Sequence, residues 1–141
     1  MAGKTIFDLK KGETASFSKT IAEADVYLFA GVTGDFNPAH IDEQYAKGTF
    51  FKTRIAHGFL LAGFISAVIG TRLPGPGTIY VKQELTFLAP AHIGDTVTTL
   101  VEVMEMDADR NRARLRTLCR NQDEVVLVDG SATVSPPKPP K

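Results

Sequence analysis

The sequence predicts an α+β domain in which an antiparallel β-sheet curves around one long buried helix. Three observations predict this fold class. The segment from Gly58 to Gly70 is apolar on every side of a helical period, four strand-like segments follow it, and the turns between those segments are short. A helix that is apolar all round must be covered by other elements, and short turns make consecutive strands antiparallel neighbours.

One strand and one helix are expected before the long helix. Residues 13–19 alternate loosely between polar and apolar side chains, which favours an edge strand. Thr20 and Glu23 have the spacing of a capping box, in which each side chain satisfies a free amide at the start of a helix. That helix is expected to end at about Gly31–Gly34.

A long irregular loop connects this helix to the apolar one. Residues 35–57 are rich in turn formers and leave room for a short helical turn only at about 42–46. A loop of this length inside a small domain is usually functional. The sequence therefore directs the search for a site to this segment.

The second half of the chain predicts the sheet. Strands are expected at about residues 78–89, 96–106, 110–121 and 124–134. One buried helix against such a curved antiparallel sheet is the hot-dog fold in its best-known form. A sheet edge remains unpaired, so we expect a homodimer in which the sheet continues across the two subunits.

Composition limits the class of function. The chain has 141 residues with 16 basic and 16 acidic side chains, so it has no general positive field for nucleic acid or an anionic membrane. We therefore expect the substrate to be a small molecule. The single cysteine, Cys119, forms no internal disulfide, no Cys/His metal spacing is present, and no signal peptide is recognisable, which together predict a cytoplasmic protein without a metal. Residues 1–135 form the predicted domain, and residues 136–141 a flexible Pro/Lys tail.

A carboxylate and an imidazole lie five residues apart in the loop. Asp35 and His40 flank a turn that contains Asn37 and Pro38, so the two side chains could converge on one small object. Water is a good candidate, because a carboxylate accepts its proton and an imidazole accepts or returns one near neutral pH. The alternative is that Asp35 caps a turn and His40 is an ordinary surface residue.

The start of the apolar helix is the second candidate position. The first amides of a helix have no acceptor within it, and Gly58 has no side chain to keep a substrate oxygen away. A carbonyl oxygen bound there would be stabilised as it gains negative charge. The alternative is that Gly58 only permits close helix packing and that His57 caps the helix.

These residues belong to four motifs that resemble one family. The motifs are Gly34-Asp35-Phe36-Asn37-Pro38-x-His40, Ala56-His57-Gly58-x-Leu60-Leu61-Ala62, Leu73-Pro74-Gly75-x-Gly77-x-Ile79-Tyr80, and Gly94-Asp95 before a strand. In this order they resemble the MaoC-like hydratases, and in particular the short bacterial (R)-specific enoyl-CoA hydratases that supply polyhydroxyalkanoate synthesis. The resemblance covers residues 25–134.

The resemblance implies a reaction and roles for three residues. Water adds reversibly, in a syn addition, to a trans-2-enoyl-CoA and gives an (R)-3-hydroxyacyl-CoA. Asp35 and His40 would hold the water, and the Gly58 amide would bind the thioester carbonyl. No cofactor is implied, because coenzyme A is part of the substrate.

Other residues are expected to support the site. Ser66 matches the family's helix serine and could support the loop, or it could bond back to the Ala62 carbonyl as buried helical serines often do. Asn37 and His57 are expected to brace the site. Candidates for contact with the substrate are Lys52 and Arg54 for the phosphates and Phe59 and Ile79 for the acyl chain.

A row of arginines on one predicted strand offers another possible phosphate site. Arg110, Arg112, Arg114 and Arg116 share one face, opposite Ala113, Leu115, Thr117 and Cys119. A solvated outer face paired with Glu102 or Glu105 of the neighbouring strand is the favoured interpretation.

Two other functions fit part of the pattern. A hot-dog acyl-CoA thioesterase would direct water to the carbonyl carbon and release a free thiol. We expect the apolar side chains of the long helix and of residues 79–87 to leave a tunnel for the acyl chain. A non-catalytic acyl-thioester binding module would keep this tunnel and have no need of Asp35 and His40. Fold alone permits either of them.

Overall fold

Five strands and four helices make up the computed structural model, which describes residues 1–141. In chain order they are β1 (Thr14–Thr20), α1 (Glu23–Thr33), α2 (Pro38–Ile41), α3 (Glu43–Lys47), α4 (Gly58–Thr71), β2 (Ile79–Phe87), β3 (Thr96–Asp107), β4 (Arg112–Arg120) and β5 (Val126–Ser135). The strands form one antiparallel sheet in the order β1-β3-β4-β5-β2. The predicted α+β hot-dog architecture is confirmed, and each predicted strand is present within a few residues of its expected bounds.

The long helix α4 packs on the sheet with one face only. Its buried side chains are Leu61, Phe64, Ile65, Val68 and Ile69. Its exposed residues are Phe59, Gly63, Ser66, Ala67, Gly70 and Thr71. The expectation that the sheet covers this helix on all sides was therefore wrong for a single chain, because the open side is built mainly from small residues that demand little cover.

The strands alternate between a buried and an exposed face as the sequence predicts. In β4 the side chains of Ala113, Leu115, Thr117 and Cys119 are buried. The opposite face carries arginines in ion pairs, with Arg114 2.8 Å from Glu105 as expected. Arg116 lies opposite Glu102 in the register, but its ion pair is with Asp129 at 3.7 Å.

The start of α1 differs from the predicted capping box. The N-cap is Ala22, and its backbone amide donates to the Asp25 carboxylate at 2.8 Å. The Thr20 hydroxyl instead bonds to that of Thr96 across the sheet. The helix ends where predicted, because Gly34 adopts a φ of 81°, in the left-handed region that glycine enters without strain.

Both ends of the chain are more ordered than composition suggests. Ile6 and Leu9 are buried in the core, although the first thirteen residues show no helical or strand period. At the other end Pro136 is buried and its carbonyl accepts from the Asn111 side chain at 2.7 Å. The exposed tail begins at Lys138. No helix is both long and apolar enough to traverse a lipid bilayer.

Candidate active site

The loop after α1 is shaped by local hydrogen bonds. The Asn37 side chain accepts from the Ala39 amide at 3.1 Å and so caps α2, whose first residue is Pro38. A proline is well suited to that first position because its missing N–H would have no partner there. The short helix α2, which the sequence did not predict, carries His40 on its last turn. Asn37 thus has a structural role at this site.

His40 is almost buried and held by one hydrogen bond. Its side chain is 8% exposed, and Nδ1 lies 2.7 Å from the Ile55 carbonyl oxygen. Since a carbonyl only accepts, Nδ1 carries the proton in this bond. Nε2 is then the nitrogen left to accept or return a proton in the site.

Asp35 is exposed and has one oxygen engaged locally. Oδ1 accepts from the Asn37 amide at 3.2 Å, and the Asp35 amide donates to the Thr33 hydroxyl at 3.2 Å. The turn-capping interpretation therefore holds for one oxygen. The other oxygen has no hydrogen-bond partner within the protein and is available to water.

His57 contacts both members of this pair. Its ring stacks on that of His40 with centroids 3.9 Å apart and planes inclined by 28°. Its Nε2 donates to the Asp35 carbonyl oxygen at 3.0 Å, while Nδ1 is buried without a partner. The side chain makes no capping bond to α4, so its contacts are with the loop.

The structure brings three polar side chains to one point. One ligand-capable atom from each of Asp35, His40 and His57 lies within 4.8 Å of the others. A carboxylate and two imidazoles are also a donor set that zinc accepts, so these are the residues that could hold a metal ion. As acid–base groups, the same carboxylate and imidazole can hold a water molecule and move its proton.

Gly58 lies next to this cluster, at the first position of α4. Its amide makes no backbone hydrogen bond, as expected at a helix start. A Cβ added to it would lie 2.7 Å from a ring carbon of Phe87. Close packing is thus a real reason for glycine here, and the amide of this residue, directly after His57, has no acceptor.

Two apolar cavities lie on either side of the Phe59–Phe87 pair, whose rings stack at 5.9 Å. The first, of about 400 Å³, contains Gly58 and is also lined by Phe50, Phe51, Ile55, Ala56, Leu61, Phe87, Leu88, Ala89, Pro90, Ala91 and Val128. The second, of about 390 Å³, lies between α4 and β2 and is lined by Phe59, Ala62, Tyr80, Gln83 and Leu85. Asp35 and His40 line neither cavity, but Gly58, which follows His57, and Ile55, which accepts a hydrogen bond from His40, both line the first.

The remaining predicted site residues lie further out. Ser66 is exposed, and its hydroxyl makes no hydrogen bond, either to the loop or back to the Ala62 carbonyl. Ile79 is 65% exposed and lines neither cavity. Lys52 is exposed at a left-handed position with φ 66°, whereas the Arg54 guanidinium is bound to Glu23 and Glu43.

Two aromatic residues of the first cavity were not predicted from the sequence, namely Phe50 and Phe51 in the loop. Phe87 at the end of β2 belongs to the strand that was expected to line the acyl tunnel. A signal was present in the pair Phe50-Phe51, since two adjacent aromatic residues in a loop form an apolar patch of the kind that marks a ligand-binding site when it is exposed. Phe50 is 89% exposed.

Comparison with known proteins shows the family to which this chain is similar. The model of the MaoC like domain family matches residues 8–122. The chain is 57% identical over 130 residues to the (R)-specific enoyl-CoA hydratase of Rhodospirillum rubrum, covering 92% of this chain and 90% of that protein. It is 54% identical over 131 residues to the 3-hydroxybutyryl-CoA dehydratase of Methylorubrum extorquens, covering 93% and 83%. The structure of unliganded R-hydratase PhaJ1 from Pseudomonas aeruginosa superposes with a TM-score of 0.91 at 44% identity, covering 97% of this chain and 88% of that one.

Proposed function

The chain belongs to the MaoC-like domain family, and we propose on that premise that it is an (R)-specific enoyl-CoA hydratase. It adds water reversibly to a trans-2-enoyl-CoA and gives an (R)-3-hydroxyacyl-CoA. In the reverse direction it is a 3-hydroxyacyl-CoA dehydratase, so both directions are hydro-lyase reactions. The observation that carries the proposal is the meeting of Asp35 and His40 beside the free amide of Gly58.

Water is held between the two acid–base groups. The free oxygen of Asp35 and Nε2 of His40 both accept hydrogen bonds, so together they orient a lone pair of the water toward C3 of the substrate. One water proton passes to the pair as the oxygen–carbon bond forms. A proton from the same pair is delivered to C2, and the two groups return to their starting state. We assign these transfers to the pair as a unit.

The Gly58 amide makes the double bond of the substrate more electrophilic by binding the thioester oxygen. Negative charge moves from the attacking water through the double bond onto the thioester oxygen. An amide that already lacks an acceptor binds that oxygen without first losing another hydrogen bond. The positive end of α4 adds to the stabilisation.

His57 and Asn37 keep the loop in the required shape. His57 fixes the Asp35 backbone through Nε2 and the plane of the His40 ring through stacking. Asn37 fixes the start of α2, which carries His40. Neither needs to exchange a proton during the reaction.

The first cavity is the proposed acyl site. It is almost wholly apolar and has Gly58 in its wall, so an enoyl chain there places its thioester at the helix start. Coenzyme A enters as part of the substrate, and no separate cofactor is proposed. Lys52 is the better placed of the two predicted phosphate contacts, because Arg54 already has anionic partners. The unpaired thiol of Cys119 suits a reducing compartment, and we propose a cytoplasmic location.

A homodimer is proposed through the β2 edge. β2 is the last strand of the sheet and pairs on one side only. Ile79, Tyr80 and Val81 on this strand are exposed, as is Phe59 on the open face of α4. Pairing of β2 with a second copy would satisfy the strand and cover this apolar surface.

An assay with crotonyl-CoA tests the proposed reaction. Hydration removes the conjugated double bond, so the enoyl absorbance should fall to an equilibrium level and the product should be the (R)-3-hydroxy thioester. Thiol titration of the same reaction separates this activity from a thioesterase, which would release coenzyme A. A folded protein that leaves enoyl-CoA substrates of several chain lengths unchanged would contradict the proposal, and tight binding without turnover would favour a binding module.

A further inference from the structure

Arg54 is the centre of a polar network just before the start of α4. Its Nη2 donates to Glu23 at 2.7 Å, its Nη1 to the Tyr27 hydroxyl at 2.9 Å, and its Nε to Glu43 at 3.4 Å. The Arg54 amide donates to the same Glu43 carboxylate at 3.3 Å. One residue of the loop is therefore attached to both α1 and α3.

The network is charged at neutral pH. Hydrogen bonds from Arg54 and then Tyr27 lower the pKa of the Glu23 carboxyl. Hydrogen bonds from the Thr53 hydroxyl and the Arg54 amide lower the pKa of the Glu43 carboxyl. The Arg54 side chain is only 16% exposed, so its hydrogen bonds are partly shielded from water.

Ile55, the residue that follows Arg54, is hydrogen-bonded to the His40 side chain through its backbone carbonyl. The Ile55 carbonyl accepts from His40 Nδ1 at 2.7 Å, and the Ile55 amide donates to the Ala39 carbonyl at 3.2 Å. The position of this one peptide segment thus sets both the tautomer and the direction of the imidazole. A shift of the segment would move Nε2 relative to Asp35.

We infer that Arg54 is a positioning residue for His40, acting through the Ile55 carbonyl. The inference rests on the proposed hydratase function. Arg54 ties the segment to α1, from which Asp35 follows, and to α3, which directly follows the helix that carries His40. It thereby holds both acid–base groups and their backbone support as one rigid unit.

This role replaces the phosphate contact that the sequence suggests for Arg54. All three guanidinium nitrogens already donate to protein acceptors. Three of the five guanidinium N–H groups are thus engaged, and a coenzyme A phosphate bound to the other two would lie close to the negative charges of Glu23 and Glu43. The two roles make different kinetic predictions.

The experiment compares Arg54→Met with wild type on two substrates, crotonyl-CoA and crotonyl-pantetheine, which lacks the nucleotide phosphates. Arg120→Met is the matched control, since it removes a half-buried arginine at the end of β4 whose ion pair is with Glu124 and not with a residue of the loop. A positioning role predicts a fall in kcat of about tenfold or more on both thioesters, with a smaller change in KM. Arg120→Met should keep the wild-type kcat.

Two outcomes would overturn the inference. A rise in KM confined to crotonyl-CoA, with kcat retained, would show a phosphate contact. Wild-type values on both substrates would show that Arg54 does not position the site. In either case activity of the wild-type protein leaves the hydratase proposal intact, whereas an inactive wild type would contradict that proposal itself.

A second variant covers the case in which Arg54→Met does not fold. Glu43→Gln keeps the arginine and its bonds to Glu23 and Tyr27 while removing the charge of one partner. It should lower kcat in the same direction by a smaller factor on both thioesters. An unchanged kcat in a folded Glu43→Gln protein would count against the network as a positioning device.

Discussion

The imidazole rings of His40 and His57 lie face to face, 3.9 Å between centroids. Each ring also donates one N–H to a backbone carbonyl, His40 to Ile55 and His57 to Asp35. The stack therefore joins the two backbone segments that carry the proposed acid–base pair. Neither ring can turn without breaking a hydrogen bond and a ring contact together.

Variants of His57 should separate its two contacts. His57→Phe keeps an aromatic ring against His40 and removes the hydrogen bond to Asp35, whereas His57→Gln keeps a donor and removes the ring. Each change should lower kcat by about tenfold, since displacement of a reacting group by a fraction of an ångström is costly. Steady-state kinetics check this, and full activity of both variants would mean that His57 is a packing residue only.

Removal of either acid–base group should nearly abolish turnover. Asp35→Asn and His40→Gln preserve size and hydrogen bonding but cannot exchange a proton at neutral pH. Each should reduce kcat on the order of a hundredfold or more, the usual contribution of general acid–base catalysis. Circular dichroism and thermal unfolding of the variants establish that the fold is retained, and a variant with near wild-type kcat would remove that residue from the mechanism.

Gly58→Ala should affect both stability and rate. The new Cβ would lie 2.7 Å from the Phe87 ring, and overpacking of this kind costs about 1–3 kcal/mol. Phe87→Leu in the same protein should relieve the contact and recover the melting temperature. If the Gly58 amide binds the thioester oxygen, activity should recover less than stability. Equal recovery of both would indicate that packing is the only reason for this glycine.

The Cys119 thiol should be inert in the folded protein. Burial raises its pKa to about 11 from an ordinary value of 9.0, and its sulfur is hydrogen-bonded to Thr99 at 3.3 Å. The folded state thus binds this proton more tightly than the unfolded state, so its stability contribution is full below pH 9 and is lost as the pH rises through about 11. Reaction with a thiol reagent at pH 8 should require unfolding. Rapid labelling of native protein would contradict the buried position.

The exposed edge strand predicts the effect of one charged substitution. Val81 on β2 is 50% exposed in the single chain. Val81→Glu should weaken a β2-mediated dimer and shift the mass measured by light scattering or sedimentation toward the monomer. Lys82→Glu, at a position already charged, is the comparison. A dimer equally stable in both variants would place the interface elsewhere.

Much of the fold could be predicted because its signals are local. The apolar period of α4 and the alternation in β4 each lie within a dozen or so consecutive residues, and turn formers separate them. The predicted capping box of Thr20 and Glu23 was wrong because Asp25, two residues after Glu23, accepts the hydrogen bond from the N-cap amide instead. The open face of α4 could not be predicted, because helical periodicity does not reveal which side a sheet will cover.

The candidate site was predictable in its residues but not in its connections. Asp35, His40 and Gly58 were found from residue type and spacing, and their roles from the family resemblance. The partners of Arg54 are far away in the chain, since Glu23 is 31 residues before it. A single sequence contains no signal for such a pairing, so Arg54 was assigned to a substrate phosphate instead.

The strand order has a consequence for synthesis on the ribosome. β2 is the next element after α4, but within the chain it pairs only with β5, which ends at Ser135. The sheet against which α4 packs is therefore incomplete until almost the entire polypeptide has been made. The apolar residues of this helix remain partly uncovered until then. A chain that ends before β5 would leave β2 with no neighbour, so nascent or truncated chains should be clients of chaperones and targets of proteolysis.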